Sequence, residues 1–382
     1  MKILFTGGGS GGHIFPIIAI IRELKKQNKK TEQEKRINPL NLYFVGPKSE
    51  IGLQLLKNEG VIVKTIFAGK IRRYITPKSI LENIIDILFK IPISFIQASL
   101  YLRKIKPDIV FGKGGYGSFP VIWSAEKLKI PFFLHESDIV PGRVTKIFAK
   151  STIKIFTSFE QTKIENISSS KIFFTGNPIR QTILNGSREE AKKIFELKDK
   201  KPIILILGGS QGAERINNII LQMLPQLLEN FEIIHQCGKK RLNEILSTAK
   251  IIIKKENLIK NYHPINFLNE EELKHAYAMS HLIISRAGSG SIFNIATIGK
   301  PSILIPLPEA SQNHQAKNAH AFASNGAAMV MESKNPTPRL LYSNIMLIFS
   351  EPGKLKKMSN AALAFSKPNA AEIIATYLIK SK

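Results

Sequence analysis

The sequence predicts an α/β protein built from two Rossmann-like halves. Short, wholly apolar runs alternate with longer amphipathic runs, which is the pattern of buried parallel strands joined by crossover helices. The order of strand, glycine-rich turn and helix occurs near the start of the chain and again after Pro202. Since 382 residues correspond to two or three domains of ordinary size, two such halves account for the chain.

The first half opens with a buried strand and a glycine loop. Lys2–Phe5 is predicted as a strand, Gly7–His13 as the turn after it and Pro16–Lys26 as a helix. The charged stretch Lys25–Arg36 predicts a solvated loop. Further strands are predicted at Leu42–Val45, Ile109–Phe111 and Phe132–His135.

The second half repeats this order. Ile203–Leu207 is predicted as a strand that ends in Gly208–Ala213, and a helix over Ile216–Leu228 follows. Further strands are predicted at Ile233–Cys237, Leu282–Ser285 and Ser302–Pro306. The junction lies near Pro178, because proline disfavours a helix through the preceding residue. We therefore expect an N-terminal domain at residues 1–177 and a C-terminal domain at residues 178–359, with a helix over about 360–382 packing back on the first.

The composition restricts the possible partners. The chain has 55 Lys and Arg against 29 Asp and Glu, a formal net charge of +26, which favours phosphates, nucleic acid or an anionic membrane. One cysteine excludes a disulfide scaffold and a cysteine-rich metal site. The first residues show no export signal, and the sequence has no uninterrupted apolar run of ~18 residues. We expect a cytoplasmic protein.

Glycine-rich turns after predicted strands indicate phosphate binding. Gly7–His13 has glycine at five of its first six positions and then a histidine. Backbone N–H groups in such a turn can approach an anion at a helix N-terminus, although a tight turn alone is the alternative. No Walker lysine follows, and the spacing differs from the GxGxxG fingerprint. This disfavours a P-loop nucleotidase and a nicotinamide-dependent enzyme.

Three further turns share this character. They are Gly208–Ala213, which contains Ser210, Gly112–Ser118, which contains Lys113, and Ser285–Ser291. Loops at the carboxyl ends of strands in both halves favour a cleft that binds two phosphorylated ligands. The polar stretch Pro306–Ala319 follows a buried strand and suits a hydroxyl-rich ligand such as a sugar.

Eight motifs occur along nearly the whole chain in the order and spacing of one known family. They are Gly7–Ala19, Lys113–Pro120, His135–Glu136, Gly176–Arg180, Gly208–Ala213, Arg286–Gly288, Gly299–Pro308 and His314–Ala319. Together they resemble the MurG family, the peptidoglycan N-acetylglucosaminyltransferases. The ordered set is far more specific than any single motif.

This resemblance implies a GT-B fold, in which two Rossmann-like domains face a deep cleft. It implies inverting transfer of GlcNAc from UDP-GlcNAc to the 4-hydroxyl of MurNAc-pentapeptide-diphospho-undecaprenol (lipid I), which forms lipid II. The C-terminal domain would hold the nucleotide sugar, and the N-terminal domain would hold the acceptor diphosphate. The aspartates, at positions 86, 108, 138 and 199, form no D-x-D metal motif, so we expect no cofactor and no tightly bound metal.

The resemblance also assigns roles to residues. His13 lies where the family's candidate base lies, and imidazole titrates near neutrality. A helix-start histidine that only orients the loop is the alternative, and Asp138 competes for the role of base. The nucleotide-sugar site would comprise Ser10, Gly11, Gly12, Asp138, Arg180, Ser210, Leu268, Ser289, Gly290, Ser291, Ile292, Phe293, Asn294 and Gln315. The acceptor site would comprise Gly9, His13, Lys113, Gly114, Gly115, Tyr116 and Glu136.

Some of these roles are specific. By resemblance, Arg180 and Ser210 touch the nucleotide, and the backbone of Leu268 meets the uracil. Gln315 would hold the GlcNAc hydroxyls.

The sequence departs from the family pattern in three places. Asp138 stands where the family usually has Asn, and Gln312-Asn313 stands where it has two Asp. Asn294 replaces a ribose-binding Glu, and its amide oxygen accepts hydrogen bonds without the charge that strengthens them. These departures leave open a GT-B relative with another donor or acceptor, such as a diacylglycerol glucosyltransferase or an epimerase.

The resemblance also implies a membrane contact. Lys70–Tyr74 is basic, and four apolar residues within Ile80–Leu102 recur at helical spacing: Ile84, Leu88, Ile91 and Phe95. A helix that faces the core shows the same spacing, so the two interpretations have equal weight. Family members associate with the cytoplasmic face of the inner membrane. We therefore expect peripheral association with an anionic membrane surface.

A basic, anion-binding protein without catalytic activity is the remaining alternative. Nucleic-acid binding predicts basic and aromatic residues clustered on one face. Here the lysines are dispersed and aromatic residues make up 8% of the chain. We therefore expect no nucleic-acid partner.

Overall fold

The computed structural model describes residues 1–33, 39–69, 76–208, 214–238, 241–308, 313–332 and 337–381. The chain divides into two compact units. One unit contains Met1–Arg180 together with Pro368–Lys382, and the other contains Gln181–Lys367. Each unit has a parallel sheet with helices between its strands, which confirms the predicted fold class.

The first unit has a seven-stranded parallel sheet in the order β3-β2-β1-β4-β5-β6-β7. Its strands are β1 (Lys2–Thr6), β2 (Asn41–Pro47), β3 (Ile62–Ile66), β4 (Ile109–Gly112), β5 (Phe132–Glu136), β6 (Lys154–Thr157) and β7 (Ile172–Phe174). Its first six helices are α1 (Gly11–Gln33), α2 (Glu50–Asn58), α3 (Pro77–Ile85), α4 (Ile91–Ile105), α5 (Phe119–Lys127) and α6 (Arg143–Phe148). A π-helical turn over Asp86–Lys90 joins α3 to α4.

Alternation along β1 supplies both faces of this sheet with core residues. Ile3 and Phe5 pack with α1 on one face, and Leu4 packs with α4 and α5 on the other. All three side chains are fully buried. Neighbouring side chains of a strand point to opposite faces, so a wholly apolar strand requires helices on both sides of the sheet.

The second unit has a six-stranded parallel sheet in the order β10-β9-β8-β11-β12-β13. Its strands are β8 (Ile203–Leu207), β9 (Glu232–Gln236), β10 (Tyr262–Ile265), β11 (Leu282–Ser285), β12 (Ser302–Leu304) and β13 (Ala328–Val330). Its helices are α7 (Arg188–Phe195), α8 (Glu214–Asn230), α9 (Leu242–Ile252), α10 (Glu256–Ile259), α11 (Glu270–Met279), α12 (Ser289–Thr297), α13 (His314–Ala323), α14 (Pro338–Ser350) and α15 (Lys354–Phe365).

The end of the chain returns to the first unit. The last helix, α16 (Ala370–Lys380), packs against α1 and contributes Ile374 and Leu378 to its core. The single helix predicted over about 360–382 is therefore wrong in its bounds. One helix ends at Phe365, and Pro368, which cannot donate a backbone hydrogen bond, lies before the next helix begins.

Each sheet has one point where the strand order reverses. In the first unit the chain leaves β1 toward β2 on one side and later returns to β4 on the other. In the second unit the corresponding strands are β8 and β11. Ligands of open parallel sheets bind beyond the carboxyl ends of the strands at such points. The predicted glycine turns follow these four strands.

Helix α1 is longer than predicted at both ends. It begins at Gly11, inside the glycine motif, and it continues through Lys25–Gln33, where the sequence analysis expected a loop. Lysine, glutamine and glutamate are good helix formers, so a charged stretch is compatible with a solvent-facing helix. Residues 34–38 lie outside the described part of the chain. Within that part, none of the helices combines the length and the apolar character needed to span a bilayer.

Candidate active site

In the first unit, the turns after β1 and β4 close around His13. Gly8 N–H donates to the Gly114 carbonyl at 3.1 Å, and Lys113 N–H donates to the Thr6 carbonyl at 2.8 Å. These bonds join the two turns at the point where the strand order reverses. The imidazole of His13 lies between them at the start of α1.

Glycine is required where the turns approach the ring. A Cβ on Gly8 would lie 2.8 Å from His13 Cδ2, and a Cβ on Gly115 would lie 3.0 Å from His13 Nε2. Gly115 also has φ +81°, a conformation that other residues rarely adopt. The glycines of both motifs therefore give the backbone close access to one histidine.

His13 has one ring nitrogen engaged with the backbone. Its Nδ1 lies 3.2 Å from the Lys113 carbonyl oxygen, which can only accept, so Nδ1 carries the proton in the neutral ring. Nε2 then carries a lone pair. Burial, with help from the Lys113 charge, lowers the pKa of His13 to about 4, and the Asp138 carboxylate opposes this shift. The half-buried ring is thus a neutral hydrogen-bond acceptor at physiological pH.

Lys113 was predicted to add charge to an acceptor-binding loop, but its side chain is only 2% exposed. Its Nζ donates to His135 Nδ1 at 2.7 Å, to Asn177 Oδ1 at 3.3 Å and to Ser137 Oγ. Burial lowers the pKa of Lys113 to about 7, against the raising effects of Glu136 and Asp138. The ammonium points into the protein. It anchors the loop through these hydrogen bonds, and its charge acts on neighbouring groups such as His13.

Glu136 was also predicted to contact the acceptor, and its oxygens are instead occupied within the protein. Oε2 accepts from Gly142 N–H at 2.8 Å and from Thr145 Oγ1 at 2.7 Å. Oε1 accepts from Asp138 N–H at 3.3 Å. Burial and the neighbouring Asp138 raise the pKa of Glu136. Glu136 therefore shapes the loop that carries Asp138.

Asp138 is half-buried and lies within electrostatic range of His13, Lys113 and Glu136. Its backbone is held from both sides, by Glu136 and by Thr162, whose Oγ1 donates to the Asp138 carbonyl at 3.4 Å. The two candidate bases thus belong to one electrostatic cluster.

Arg180 lies beside the first turn of α1. Its guanidinium carbon lies 4.2 Å from the centroid of the Phe15 ring, and the side chain is mostly buried. A Cβ on Gly11 would lie 2.8 Å from Phe15 Cε2, so Gly11 makes room for the ring under the guanidinium. Gly9, Ser10 and Gly12 remain partly or fully exposed, as does Tyr116.

In the second unit, the start of α12 has the features of an anion site. Gly288 is the N-cap residue of the helix, and as a glycine it has no side chain to cap it. A Cβ on Gly288 or Gly290 would meet no atom within 4 Å. The Ser289 hydroxyl is buried and has no hydrogen-bond partner among the described residues. Free N–H groups, open space and an unpaired hydroxyl are what a bound phosphate requires.

The remaining predicted donor residues of the second unit divide into two groups. Ser291 and Asn294 are half-buried on α12 and stay candidates. Ile292 and Phe293 are core side chains, with Phe293 packed on Phe365 at a ring-centroid distance of 5.5 Å. Ile292 N–H is already bonded to the Gly288 carbonyl. The side chains of these two residues therefore belong to the core of the second unit.

Two predicted ligand contacts are partly occupied by the protein. The Leu268 N–H donates to Gln236 Oε1 at 3.0 Å, so a backbone contact with a base would use the Leu268 carbonyl. Gln315 Oε1 accepts from the Leu307 N–H at 3.1 Å, which leaves its NH₂ group to donate. Ser210 and Gln312 lie outside the described residues.

The described residues contain no group of three or more His, Cys, Asp or Glu side chains arranged to hold a metal ion. The motifs did not indicate the anchors of Lys113, which are His135, Ser137 and Asn177, or the Phe15 platform of Arg180. The available signal was that His135 lies at the carboxyl end of a buried strand and Ser137 just beyond it. Phe15 gave no signal apart from its place in the first turn of α1.

Comparison with known proteins agrees with this arrangement. The chain matches the glycosyltransferase family 28 N-terminal domain over residues 3–157 and the glycosyltransferase family 28 C-terminal domain over residues 203–374. The fold has two parallel α/β units, and the sequence places glycine turns where the strand order of each sheet reverses. This fold and the two matching domains define a glycosyltransferase of the GT-B class.

The relatives identify the family more closely. A Bacillus cereus protein named UDP-N-acetylglucosamine--N-acetylmuramyl-(pentapeptide) pyrophosphoryl-undecaprenol N-acetylglucosamine transferase 2 is 34% identical over 378 residues, covering 99% of this chain and 98% of the relative. A Clostridium tetani transferase named for the same reaction is 34% identical over 378 residues, with 98% of each chain covered. The crystal structure of Acinetobacter baumannii MurG aligns with a TM-score of 0.72 and 26% identity over 99% of both chains. The chain belongs to the MurG family.

Another solved structure is alike in fold alone. The UDP-GlcNAc 2-epimerase from Neisseria meningitidis aligns over the full length of both chains with a TM-score of 0.68 and 17% identity.

Proposed function

We propose that this protein transfers GlcNAc from UDP-GlcNAc to the 4-hydroxyl of MurNAc in a MurNAc-pentapeptide-diphospho-undecaprenol acceptor and so forms lipid II. The donor and acceptor are those in the names of the Bacillus cereus and Clostridium tetani relatives. Nearly complete coverage of both chains supports carrying the reaction over to this protein.

The geometry of His13 is the observation that carries the proposed chemistry. Its Nδ1 is bonded to the backbone, so Nε2 is available to take the proton of the acceptor hydroxyl. The hydroxyl oxygen attacks the anomeric carbon, the bond from that carbon to UDP breaks, and the configuration inverts. An acceptor diphosphate in the glycine turns would add negative charge and raise the pKa of His13 from about 4 toward the range of an effective base.

The start of α12 is the proposed site of the donor diphosphate. The uncapped helix N-terminus and the unpaired Ser289 hydroxyl support this assignment. Asn294, one turn further along α12, is the proposed ribose contact. We propose that Arg180, Ser210 and backbone N–H groups balance the charge of the departing UDP without a metal ion.

Transfer of labelled GlcNAc to a lipid-linked muramyl acceptor tests the reaction. We expect product with UDP-GlcNAc and none with UDP-glucose or TDP-glucose, and we expect EDTA to leave the rate unchanged. Calorimetry with the same three nucleotides, without added metal, measures donor selectivity separately. Activity that is lost in EDTA and restored by Mg²⁺ would contradict the metal-independent part of the proposal alone.

A GT-B enzyme with another donor or acceptor is the second candidate, and Asn294 is the observation that favours it. A neutral amide at the proposed ribose site binds the hydroxyls more weakly than the usual carboxylate. Tight binding of a different nucleotide sugar in the calorimetric comparison would move the assignment to this second candidate.

We propose further that the protein associates peripherally with the cytoplasmic face of the membrane through α3, the π-helical turn and α4. Apolar side chains stand exposed here, among them Leu81 (61%), Leu88 (62%), Phe89 (60%), Ile96 (61%) and Leu100 (56%). The other side of α4 is core, since Phe95 packs edge-on against Trp123 and Ala98 is buried. One face of this stretch therefore packs in the core, and the exposed apolar face supports the proposed membrane contact. The basic stretch Lys70–Tyr74 lies outside the described residues.

Sedimentation with lipid vesicles tests this surface. We expect binding to vesicles of phosphatidylglycerol and phosphatidylcholine, weaker binding to phosphatidylcholine alone, and loss of binding in Leu88→Glu, because a carboxylate opposes both insertion and anionic lipid. Ile251→Glu is the matched control, since Ile251 is equally apolar and 77% exposed on α9 of the other unit. Equal binding of the two variants would contradict the proposed surface.

A further inference from the structure

Lys113 is the most completely buried charged group near His13, and the proposed reaction assigns it no task. It is 2% exposed and makes three side-chain hydrogen bonds within the protein. Burying an ammonium costs free energy unless it is well paired. Its position beside His13 suggests that the buried charge serves the candidate base.

We infer that Lys113 is a positioning residue for His13: its carbonyl holds the imidazole in the tautomer with a free Nε2, and its buried side chain holds that carbonyl in place. The inference rests on the proposed function, because it assigns Nε2 the acceptor proton. It deepens that function by naming the residue that prepares the base.

The backbone of Lys113 makes the direct contact. His13 Nδ1 lies 3.2 Å from the Lys113 carbonyl oxygen, and Lys113 N–H donates to the Thr6 carbonyl at 2.8 Å. The backbone N–H and carbonyl of Lys113 therefore connect Thr6, at the end of β1, with the imidazole of His13. An acceptor at Nδ1 fixes the proton there and leaves the lone pair on Nε2.

The side chain adds a restraint to the backbone hydrogen bonds that hold this turn, from Lys113 N–H to Thr6 and from Gly8 N–H to the Gly114 carbonyl. Lys113 lies between Gly112 and Gly114, and both Gly114 and Gly115 have positive φ, +79° and +81°. Glycine flanks leave the direction of a carbonyl weakly determined. The ammonium supplies the restraint through His135, Asn177 and Ser137, which lie on other segments of the unit.

The anchors are themselves held. His135 Nε2 lies 3.3 Å from the Gly176 carbonyl, so it donates there while Nδ1 accepts from Lys113. Asn177 Oδ1 also accepts from Ser158 Oγ at 3.4 Å. The restraint on the Lys113 carbonyl thus runs to strand β5 and to the segment after β7.

Lys113 also acts on His13 through its charge. Among the described residues, the charged groups that act on His13 are Lys113 and Asp138, and those that raise the pKa of Lys113 are Glu136 and Asp138. An ammonium beside the ring disfavours imidazolium, so it helps to keep His13 unprotonated. Removing the ammonium therefore moves the pKa of His13 upward, toward 6.5.

Histidine NMR tests this without reference to activity. In ¹⁵N-histidine-labelled protein, with the His13 signal assigned by its loss in His13→Gln, we expect the neutral Nδ1–H form from pH 5.5 to 9. In Lys113→Met we expect the pKa of His13 to rise, although burial still holds it below 6.5, and we expect both tautomers to be populated. Lys146→Met, which removes an exposed lysine of the same unit, should leave His13 unchanged. A His13 titration and tautomer that are the same in Lys113→Met and wild type would overturn the inference.

Kinetics separates positioning from substrate binding. We expect kcat of Lys113→Met to fall roughly 10-fold to 100-fold with little change in KM for either substrate, as for a small displacement of a catalytic group. A higher KM for the acceptor with unchanged kcat would make Lys113 a binding residue and overturn the inference. If Lys113→Met does not fold, Ser137→Ala retains the charge and loosens one anchor. It should lower kcat about two- to tenfold, and an unchanged kcat would then count against the anchoring.

The two proposals fail differently. A wild-type enzyme that transfers no GlcNAc would contradict the proposed function, whereas the NMR result would still decide whether Lys113 orients His13.

Discussion

At the scale of the residue, His13 gains its properties from its neighbours. An isolated imidazole titrates near pH 6.5 and has two interchangeable nitrogens. In this protein the Lys113 carbonyl distinguishes the nitrogens, and burial together with the Lys113 charge lowers the pKa to about 4. The sequence identified the residue, and the fold determined its protonation.

Replacing His13 removes the proposed base without removing the anion-binding backbone. We expect His13→Gln to lower turnover by about 100-fold or more, the scale of general base catalysis. The calorimetric affinity for UDP-GlcNAc should stay within about twofold, since α12 carries the proposed donor contacts. Unchanged turnover would exclude His13 as the base and leave Asp138.

The pH dependence of the wild-type enzyme follows from the same environment. We expect kcat/KM, which reports the free enzyme, to stay level on the acid side down to about pH 5, because His13 protonates only near 4. The acidic limb of kcat should lie higher, since a bound diphosphate favours imidazolium. Identical acidic limbs, both near pH 6.5, would show that the folded protein leaves this imidazole unperturbed.

Ser289 provides a prediction about affinity. Its buried hydroxyl lacks a partner among the described residues, so Ser289→Ala should not destabilise the free protein, and we expect UDP-GlcNAc to bind about five- to tenfold more weakly. Ser302 is the matched control, because its hydroxyl is also buried and unpaired but lies at the opposite end of the sheet, at the start of β12. Equal donor affinity in the two alanine variants would remove Ser289 from the site.

At the scale of the element, the strand-turn-helix units carry the site. Strands β1 and β8 are easy to recognise, because both faces of the sheet are covered and the runs Ile3–Phe5 and Ile203–Leu207 are buried and apolar throughout. Strand β3 at the sheet edge was missed, since it contains Lys64 and Thr65 and most of its residues are exposed. Sequence periodicity reflects which residues are buried, and an edge strand has few buried residues.

The turn after β4 can be tested as an element. Gly114 and Gly115 share a positive φ, so alanine at either position strains the local backbone. A Cβ on Gly114 would meet no atom within 4 Å, whereas a Cβ on Gly115 would lie 3.0 Å from His13 Nε2 and 3.1 Å from the Gly8 backbone. We therefore expect Gly115→Ala to lower kcat at least tenfold more than Gly114→Ala, and also to lower the thermal unfolding temperature further. Equal losses would show that backbone strain, and not access to His13, explains the glycines.

At the scale of the whole molecule, the chain ends in the unit where it began. Leu378 of α16 is fully buried with the side chains of α1. We expect Leu378→Ala to destabilise the first unit by about 2–5 kcal/mol, the usual cost of a buried leucine. Hydrogen exchange should quicken in β1 and β4, while β8 and β11 of the second unit keep their protection. Leu347→Ala, at a half-exposed position on α14, is the control and should change neither unit.

The sequence by itself determined the two parallel sheets, the glycine turns and the family. These depend on local apolar patterns and on the order of motifs, which are readable without coordinates. Tertiary structure alone decided which of the predicted side chains are buried and bonded within the protein. Lys113, Glu136, Ile292 and Phe293 lie in matching motifs, yet their side chains bond or pack within the protein. Burial and hydrogen-bond partners come from distant segments, and a motif cannot specify them.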